Sequence, residues 1–281
     1  MDMGRMLGKC ASIALISFLI LLVGCMEKQV SQGFSIQSAV ENAKDGATIE
    51  VPAGTYYESV VIDKSVKLIA SGNASIVPEK EFAIKICADN VTVKGFNITF
   101  PSNGGQTFGI KIEGNNSTVE MNRILSCTYG IYVKWNCKGN RIFRNFISGN
   151  RYGIYVISGS SKNEIFENNI SWNVYGIRMK GKDSVIFRNV FYRNNFGILM
   201  CCGSGNNTVY MNNFIKNVIH AEDDRYTNKW SFNNTGNYWD DYNGTDANGD
   251  GRGDSPYPIP GRGGKKDEFP MMEPIEIDVA S

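Results

Sequence analysis

Several things are scarce in this chain. Its 29 Lys and Arg stand against 28 Asp and Glu. Removing Arg5, Lys9 and Asp2 with the N-terminal segment leaves 27 against 27. Nucleic acid is therefore excluded as a partner, because phosphate recognition needs a basic footprint. Histidine is scarcer still. His220 is the only one, in the degenerate phrase Val218-Ile219-His220-Ala221, and reads as a residue that ends a repeat, not as a catalyst. Carboxylates for glycoside hydrolysis would have to sit as a spaced pair across a sugar. The pairs Asp223-Asp224 and Asp240-Asp241 lie beyond the regular part of the chain, and no catalytic constellation is apparent. The apolar run Ala11 to Val23 is too short for a permanent membrane span. Leu-x-x-Leu-x-Leu frames and helical periods between strands are also missing, which excludes a leucine-rich or βα solenoid.

What the chain does have is a repeated phrase: Phe108-Gly109-Ile110, Tyr129-Gly130-Ile131, Tyr152-Gly153-Ile154, Tyr175-Gly176-Ile177 and Phe196-Gly197-Ile198. The steps are 21, 23, 23 and 21 residues. Such a period marks a solenoid, whose repeats bury their apolar faces only by stacking. A second phrase closes on Asn122, Asn145, Asn168, Asn189 and Asn212, followed by an apolar residue and then by Cys127, Asn150, Asn173, Asn194 and Asn217. Asn tolerates left-handed turns and its amide can bond from rung to rung. Two Asn ladders at two corners are expected. The fold class is all-β: a right-handed parallel β-helix of about 22 residues per coil, with an N-terminal capping helix and an irregular C-terminal cap.

The division expected along the chain is a signal peptide over 1–24, a tether over 25–33, the β-helix with its N-terminal cap over 34–220 and the C-terminal cap over 221–281. Arg5 and Lys9 before the apolar run have the order of a secretory signal. Leu22-Val23-Gly24-Cys25 resembles the lipobox of bacterial lipoproteins, which implies a lipid on Cys25 and an extracytoplasmic, membrane-anchored protein. Ser35 followed by Ile36, Ala39, Val40 and Ala43, with Gly46 beyond, predicts one short amphipathic helix. The five remaining cysteines, Cys87, Cys127, Cys137, Cys201 and Cys202, cannot all pair and define no disulfide framework.

Residues 35–58 resemble the opening of pectate-lyase-like β-helices, and residues 83 to 220 resemble the NosD-like and carbohydrate-binding/sugar-hydrolase β-helix families. The resemblance bears on fold, because the matching residues are structural. It leaves two enzyme classes open, polysaccharide lyase and glycoside hydrolase. Neither a polygalacturonase-like motif set nor a Tyr-Gly-x-Asp-Pro-His epimerase motif is present. NosD-like proteins are associated with copper delivery to nitrous oxide reductase. Copper favours imidazole, thiolate and thioether ligands, so with one histidine and scattered cysteines no dedicated copper site is expected outside the Met200-Cys201-Cys202 turn.

Strand alternation is expected to turn the aromatic before each Gly inward, with the Ile after it. It leaves outward Lys111, Tyr132, Tyr155, Arg178 and Leu199, and beside them Glu113, Lys134, Ile157, Lys180 and Cys201. Cations beside tyrosines suit an acidic polysaccharide. Lys111, Tyr132, Lys134, Tyr155, Arg178 and Lys180 are the candidate ligand face, for a polysaccharide or an envelope protein. The stripe Phe143, Phe166, Phe187 and Tyr210 faces outward by alternation, as a partner surface, or inward by corner geometry. Finally, Asp246, Asn248, Asp250, Arg252 (by its carbonyl) and Asp254 match the first nine positions of a calcium loop, with Gly251 at the sixth and Tyr257 where the bidentate Glu should stand. A structural Ca²⁺ is the cofactor expected there.

Overall fold

The computed structural model describes residues 33–101 and 105–278. The signal segment, the Cys25 lipidation site and all of the tether except Gly33 lie outside the described residues.

The chain winds as a parallel β-solenoid with three faces. Face A stacks eight parallel strands: Val60–Ile62, Phe82–Ile86, Phe108–Ile112, Tyr129–Val133, Tyr152–Val156, Tyr175–Met179, Phe196–Met200 and Ile219–Asp223. The other two faces begin as single bent strands, Thr48–Tyr56, Lys67–Ile76 and Thr92–Thr99. Further along, each divides in two. Face B continues through Thr118–Glu120, Arg141–Phe143, Glu164–Phe166, Val185–Phe187 and Thr208–Tyr210. Face C continues through Arg123–Leu125, Phe146–Ser148, Asn169–Ser171, Val190–Tyr192, Asn213–Ile215 and Tyr238–Trp239.

The register puts like residues over like. Ile131, Ile154, Ile177 and Ile198 pair in sequence on face A. Ile142, Ile165 and Ile186 do so on face B, and Ile147, Ile170 and Phe191 on face C. All ten of these side chains are fully buried. Each removes its apolar surface from water for ~1.5–3 kcal/mol, which no single coil could achieve alone.

Both ends are closed. The helix α1, Ile36–Asn42, lays Ile36 and Val40 over the first coil. Ser35 caps it by accepting from Ser38 N, and Glu58 accepts from the N–H groups of Ile36 and Gln37. The helix ends at Ala43, three residues before Gly46. At the other end the stack runs past residue 220, because Ile219–Asp223 completes face A and Tyr238–Trp239 adds to face C. The irregular cap then folds over it, with an antiparallel hairpin of Tyr257–Ile259 and Lys265–Asp267. Trp239 is stacked between Phe214 and Tyr257, with ring centroids 4.2 Å away on either side.

The corners differ from expectation in two ways. There are three amide ladders, not two. The third runs Ser117, Asn140, Asn163, Ser184, Asn207 and Asn228, between faces A and B. Nor do the ladder residues supply the left-handed turns. The residue before each one does: Arg144 (φ 53°), Glu167 (φ 54°) and Arg188 (φ 53°) at one corner, Trp172 (φ 57°), Arg193 (φ 53°) and Lys216 (φ 54°) at the next. A left-handed non-Gly residue costs ~1–2 kcal/mol. It is offset because the turn aims the following amide inward, where it satisfies backbone groups of two coils. Cys127 fills one of these slots as a buried thiol, pushed up to about 12 by that burial. All five described cysteines are free.

Candidate functional site

The candidate ligand face is the outside of face A, and its shape follows from glycine. In the Tyr-Gly-Ile phrases the Gly takes the inward slot. A Cβ on Gly130 would lie 2.6 Å from the carbonyl oxygen of Gly153 and 2.9 Å from Ile147 Cγ2. One on Gly153 would lie 2.6 Å from the Gly176 oxygen. Gly and the Ile after it therefore both face inward, and the aromatic before each Gly is displaced to the outside. This corrects the inward placement expected from strict alternation. Phe108, Tyr129, Tyr152, Tyr175 and Phe196 form an outer stack with centroids 5.0–5.1 Å apart and planes within 17° of parallel. The glycine after each aromatic was the available signal, since a residue without a side chain in an inward position breaks the alternation.

The predicted side chains lie against that stack. Tyr132 meets Phe108 and Tyr129 edge-on at 5.1 and 5.3 Å. Tyr155 packs between Tyr129 and Tyr152 and is only 9% exposed, so it is as much a packing residue as a surface one. Lys111 sits over Phe108 and bonds Glu113 at 3.0 Å, and Lys134 bonds the same carboxylate at 2.8 Å. Burial alone would raise the Glu113 carboxyl, but hydrogen bonds from Lys134 and Lys111 hold it below its ordinary value. The Lys111 and Lys134 end of the face is thus locally neutralised.

The other end is not. Arg178 lies over Tyr152, Tyr155 and Tyr175 at 5.7–5.8 Å, and Lys180 lies over Tyr155 at 5.6 Å. Among the described residues no carboxylate pairs with either cation. The Tyr155 hydroxyl beside Lys180 holds its ammonium above the usual range. Arg178 reaches only the Tyr152 hydroxyl at 3.4 Å and Cys201 Sγ at 4.0 Å, and its Nε is buried with no partner. A guanidinium has five donors in a fixed fork, and buried donors are normally satisfied. Burial pushes the Tyr132 phenol up, so it stays a neutral donor.

The Phe143, Phe166, Phe187 and Tyr210 stripe is outward. Its rings stack at 4.7–5.6 Å with Arg141 over the first two, while the Ile column between them faces in.

The calcium-like loop is assembled, but from its own hydrogen bonds. Asp246 accepts from the N–H groups of Gly249, Asp250 and Gly251. Asn248 accepts from Asp250 N, Asp250 from Arg252 N, and Asp254 from Ala247 N. Among the described residues the one group of three or more His, Cys, Asp or Glu whose ligand atoms lie within 4.8 Å of one another is elsewhere: His220, Asp240 and Asp241. His220 Nε2 is 2.9 Å from Asp240 Oδ1 and 3.3 Å from Asp241 Oδ1. Sequence reasoning treated the histidine and the acidic pair separately, because only the winding of the last coil brings them together.

A family model described as "Periplasmic copper-binding protein (NosD)" matches residues 37–244. No curated protein sequence matches the chain. Among solved structures it is similar to an alginate lyase from Paenibacillus sp. str. FPU-7, at 16% identity and a TM-score of 0.47, over 69% of this chain and 91% of that one. It is also similar to the Dettilon tailspike protein, at 13% identity and a TM-score of 0.49, over 66% of this chain and 46% of that one. Among the described residues no helix is long and apolar enough to cross a membrane.

Proposed function

The chain belongs to the NosD family of β-helix proteins, and from that premise we propose that it is an extracytoplasmic binding protein whose face A holds an anionic polysaccharide. The observation that carries this reading is Arg178: a half-buried guanidinium on a tyrosine platform, with no carboxylate beside it among the described residues. A ligand carboxylate or sulfate would supply charge-assisted bonds to its terminal nitrogens. Lys180 would add a second positive charge one column away, over Tyr155.

The tyrosines have a different role from the one their composition suggests. Their ring faces are already occupied by one another and by the cations. They offer hydroxyls and ring edges to a ligand, so recognition by hydrogen bonding replaces stacking on sugar faces. Rungs ~4.8 Å apart repeat these groups along the axis, which suits a linear polymer better than a small molecule. Lys111 and Lys134, already paired with Glu113, would contribute little affinity. The lipid expected at Cys25 would hold this surface near a membrane.

The test is an array of neutral, uronate-containing and sulfated glycans, probed with the wild type and with Arg178→Ala, followed by an assay for unsaturated or reducing-end products. Binding confined to acidic glycans and weakened at least tenfold in Arg178→Ala supports the proposal. Binding insensitive to that substitution, or to neutral glycans alone, overturns it. Turnover would move the protein into the lyase or hydrolase class.

A further inference from the structure

Three columns of buried side chains, mostly amides, run along the solenoid, one at each corner, and all point the same way. In each rung the Asn Oδ1 accepts from the backbone N–H and commonly also the side-chain N–H of its counterpart one coil earlier. The donors therefore face the C-terminal end. The last amide of each column has no further Asn to meet, and a buried donor needs an acceptor. Asn237 gives to Asp267 and Asn228 to Asp223, both carboxylates. Asn217 ends on an imidazole: its Nδ2 lies 3.2 Å from Nδ1 of His220.

The orientation of Asn217 is not free. Its Oδ1 accepts from Asn194 N and Nδ2, both at 2.9 Å, and its Nδ2 donates to the Phe191 carbonyl at 2.9 Å. Turning the amide over would set donor against donor and acceptor against acceptor. Nδ1 of His220 is consequently the acceptor, and the ring proton sits on Nε2, aimed at Asp240 and Asp241. The two carboxylates are held from their other sides by Lys216 N at 2.8 Å and by the Tyr257 hydroxyl at 3.2 Å. The trio so ties the last corner of the solenoid to the hairpin of the cap.

A metal held by these residues would need the opposite tautomer, with the lone pair on Nε2 and a hydrogen on Nδ1 directed at an acceptor. Asn217 presents a donor instead. We propose that His220, Asp240 and Asp241, despite their ligand-like spacing, form a hydrogen-bonded latch that ends this amide ladder and seats the cap. The trio takes up no first-row divalent ion, copper(II) included. Copper is the metal of the family's description, and at this cluster it is the tautomer fixed by Asn217, not the kind of donor, that stands against it.

Because His220 is the only histidine, every imidazole signal of the full chain reports on it. Nitrogen-15 NMR at neutral pH should show Nε2 protonated and Nδ1 bare, and equimolar Zn²⁺ or Cu²⁺ should leave those signals unmoved and unbroadened. A proton on Nδ1, or a stoichiometric metal response at the imidazole, overturns the proposal. In Asn217→Asp the donor facing Nδ1 becomes an acceptor and the oxygen that serves Asn194 is kept, while the bond to the Phe191 carbonyl is lost. Zn²⁺ affinity should rise at least tenfold, and the gain should vanish when His220→Ala is added. A folded Asn217→Asp that gains nothing overturns the tautomer explanation.

Discussion

Asn168 tests the ladders most directly. It is fully buried, and its amide makes five bonds. Oδ1 accepts from Asn145 N at 3.0 Å and Asn145 Nδ2 at 2.9 Å. Nδ2 donates to the carbonyls of Ile142 and Phe166 and to Asn189 Oδ1, at 2.9, 3.0 and 2.9 Å. Asn168→Ala removes all five. Asn145 Nδ2 keeps the Val119 and Phe143 carbonyls, but the buried backbone N–H of Asn145 is left without its acceptor, at a cost of ~1–3 kcal/mol. The left-handed strain at Glu167 (φ 54°) is the same with and without the amide and adds nothing to the difference. The expected loss is ~1–3 kcal/mol. Urea unfolding followed by far-UV circular dichroism would measure it, with Asn195→Ala as control, because Asn195 is exposed one coil further along. The change should appear in the midpoint. Since solenoids can unfold in parts, a broadened transition is also a positive result. Two variants within ~0.5 kcal/mol of each other would refute the claim that the amides hold the coils together.

The remaining predictions address other parts of the molecule. Gly153→Ala should lower the melting temperature through overpacking worth about 1–3 kcal/mol, since its Cβ would meet a backbone carbonyl that cannot swing away; an unchanged melting temperature would contradict the inward placement of the glycine. Burial pushes the Asp267 carboxyl from 3.8 up to about 6, against the N–H groups of Asn237, Phe269 and Trp239 that favour its anion. A folded value above the unfolded one means that its stabilising contribution is complete below pH ~4 and lost as pH rises through about 6. Asp267→Asn should therefore reduce the fall in stability between pH 4.5 and pH 7 by about 2 kcal/mol, read from paired urea midpoints; equal slopes would contradict it. Cys25→Ser should release the protein from the membrane fraction, and unaltered partition would remove the lipid anchor.

The fold was legible because its causes are periodic. Ile131, Ile154 and Ile177, and Asn145, Asn168 and Asn189, recur at intervals that only stacking explains, and the helix after Ser35 announces a cap. The third ladder was harder to see, since Ser117 and Ser184 interrupt its amides. At the two expected corners the left-handed positions carried little composition signal: Met121, Arg144, Glu167, Trp172 and Lys216 share a conformation but no chemistry. They are set by the residue that follows them, which must turn inward.

For the candidate site the division is sharper. Sequence by itself determined which cations and tyrosines share a face, because residues one period apart must lie one rung apart. It could not determine that Tyr129, Tyr152 and Tyr175 lie on that face too, since this follows from a backbone carbonyl standing 2.5–2.6 Å from where each glycine's Cβ would be. Nor could it show that Glu113 neutralises Lys111 and Lys134 while Arg178 has no counter-charge among the described residues. His220, twenty residues from Asp240, meets it only because the last coil closes between them. Period is a property of the chain, but the direction of a side chain beside an inward glycine, and which charges end up paired, belong to the packed coils.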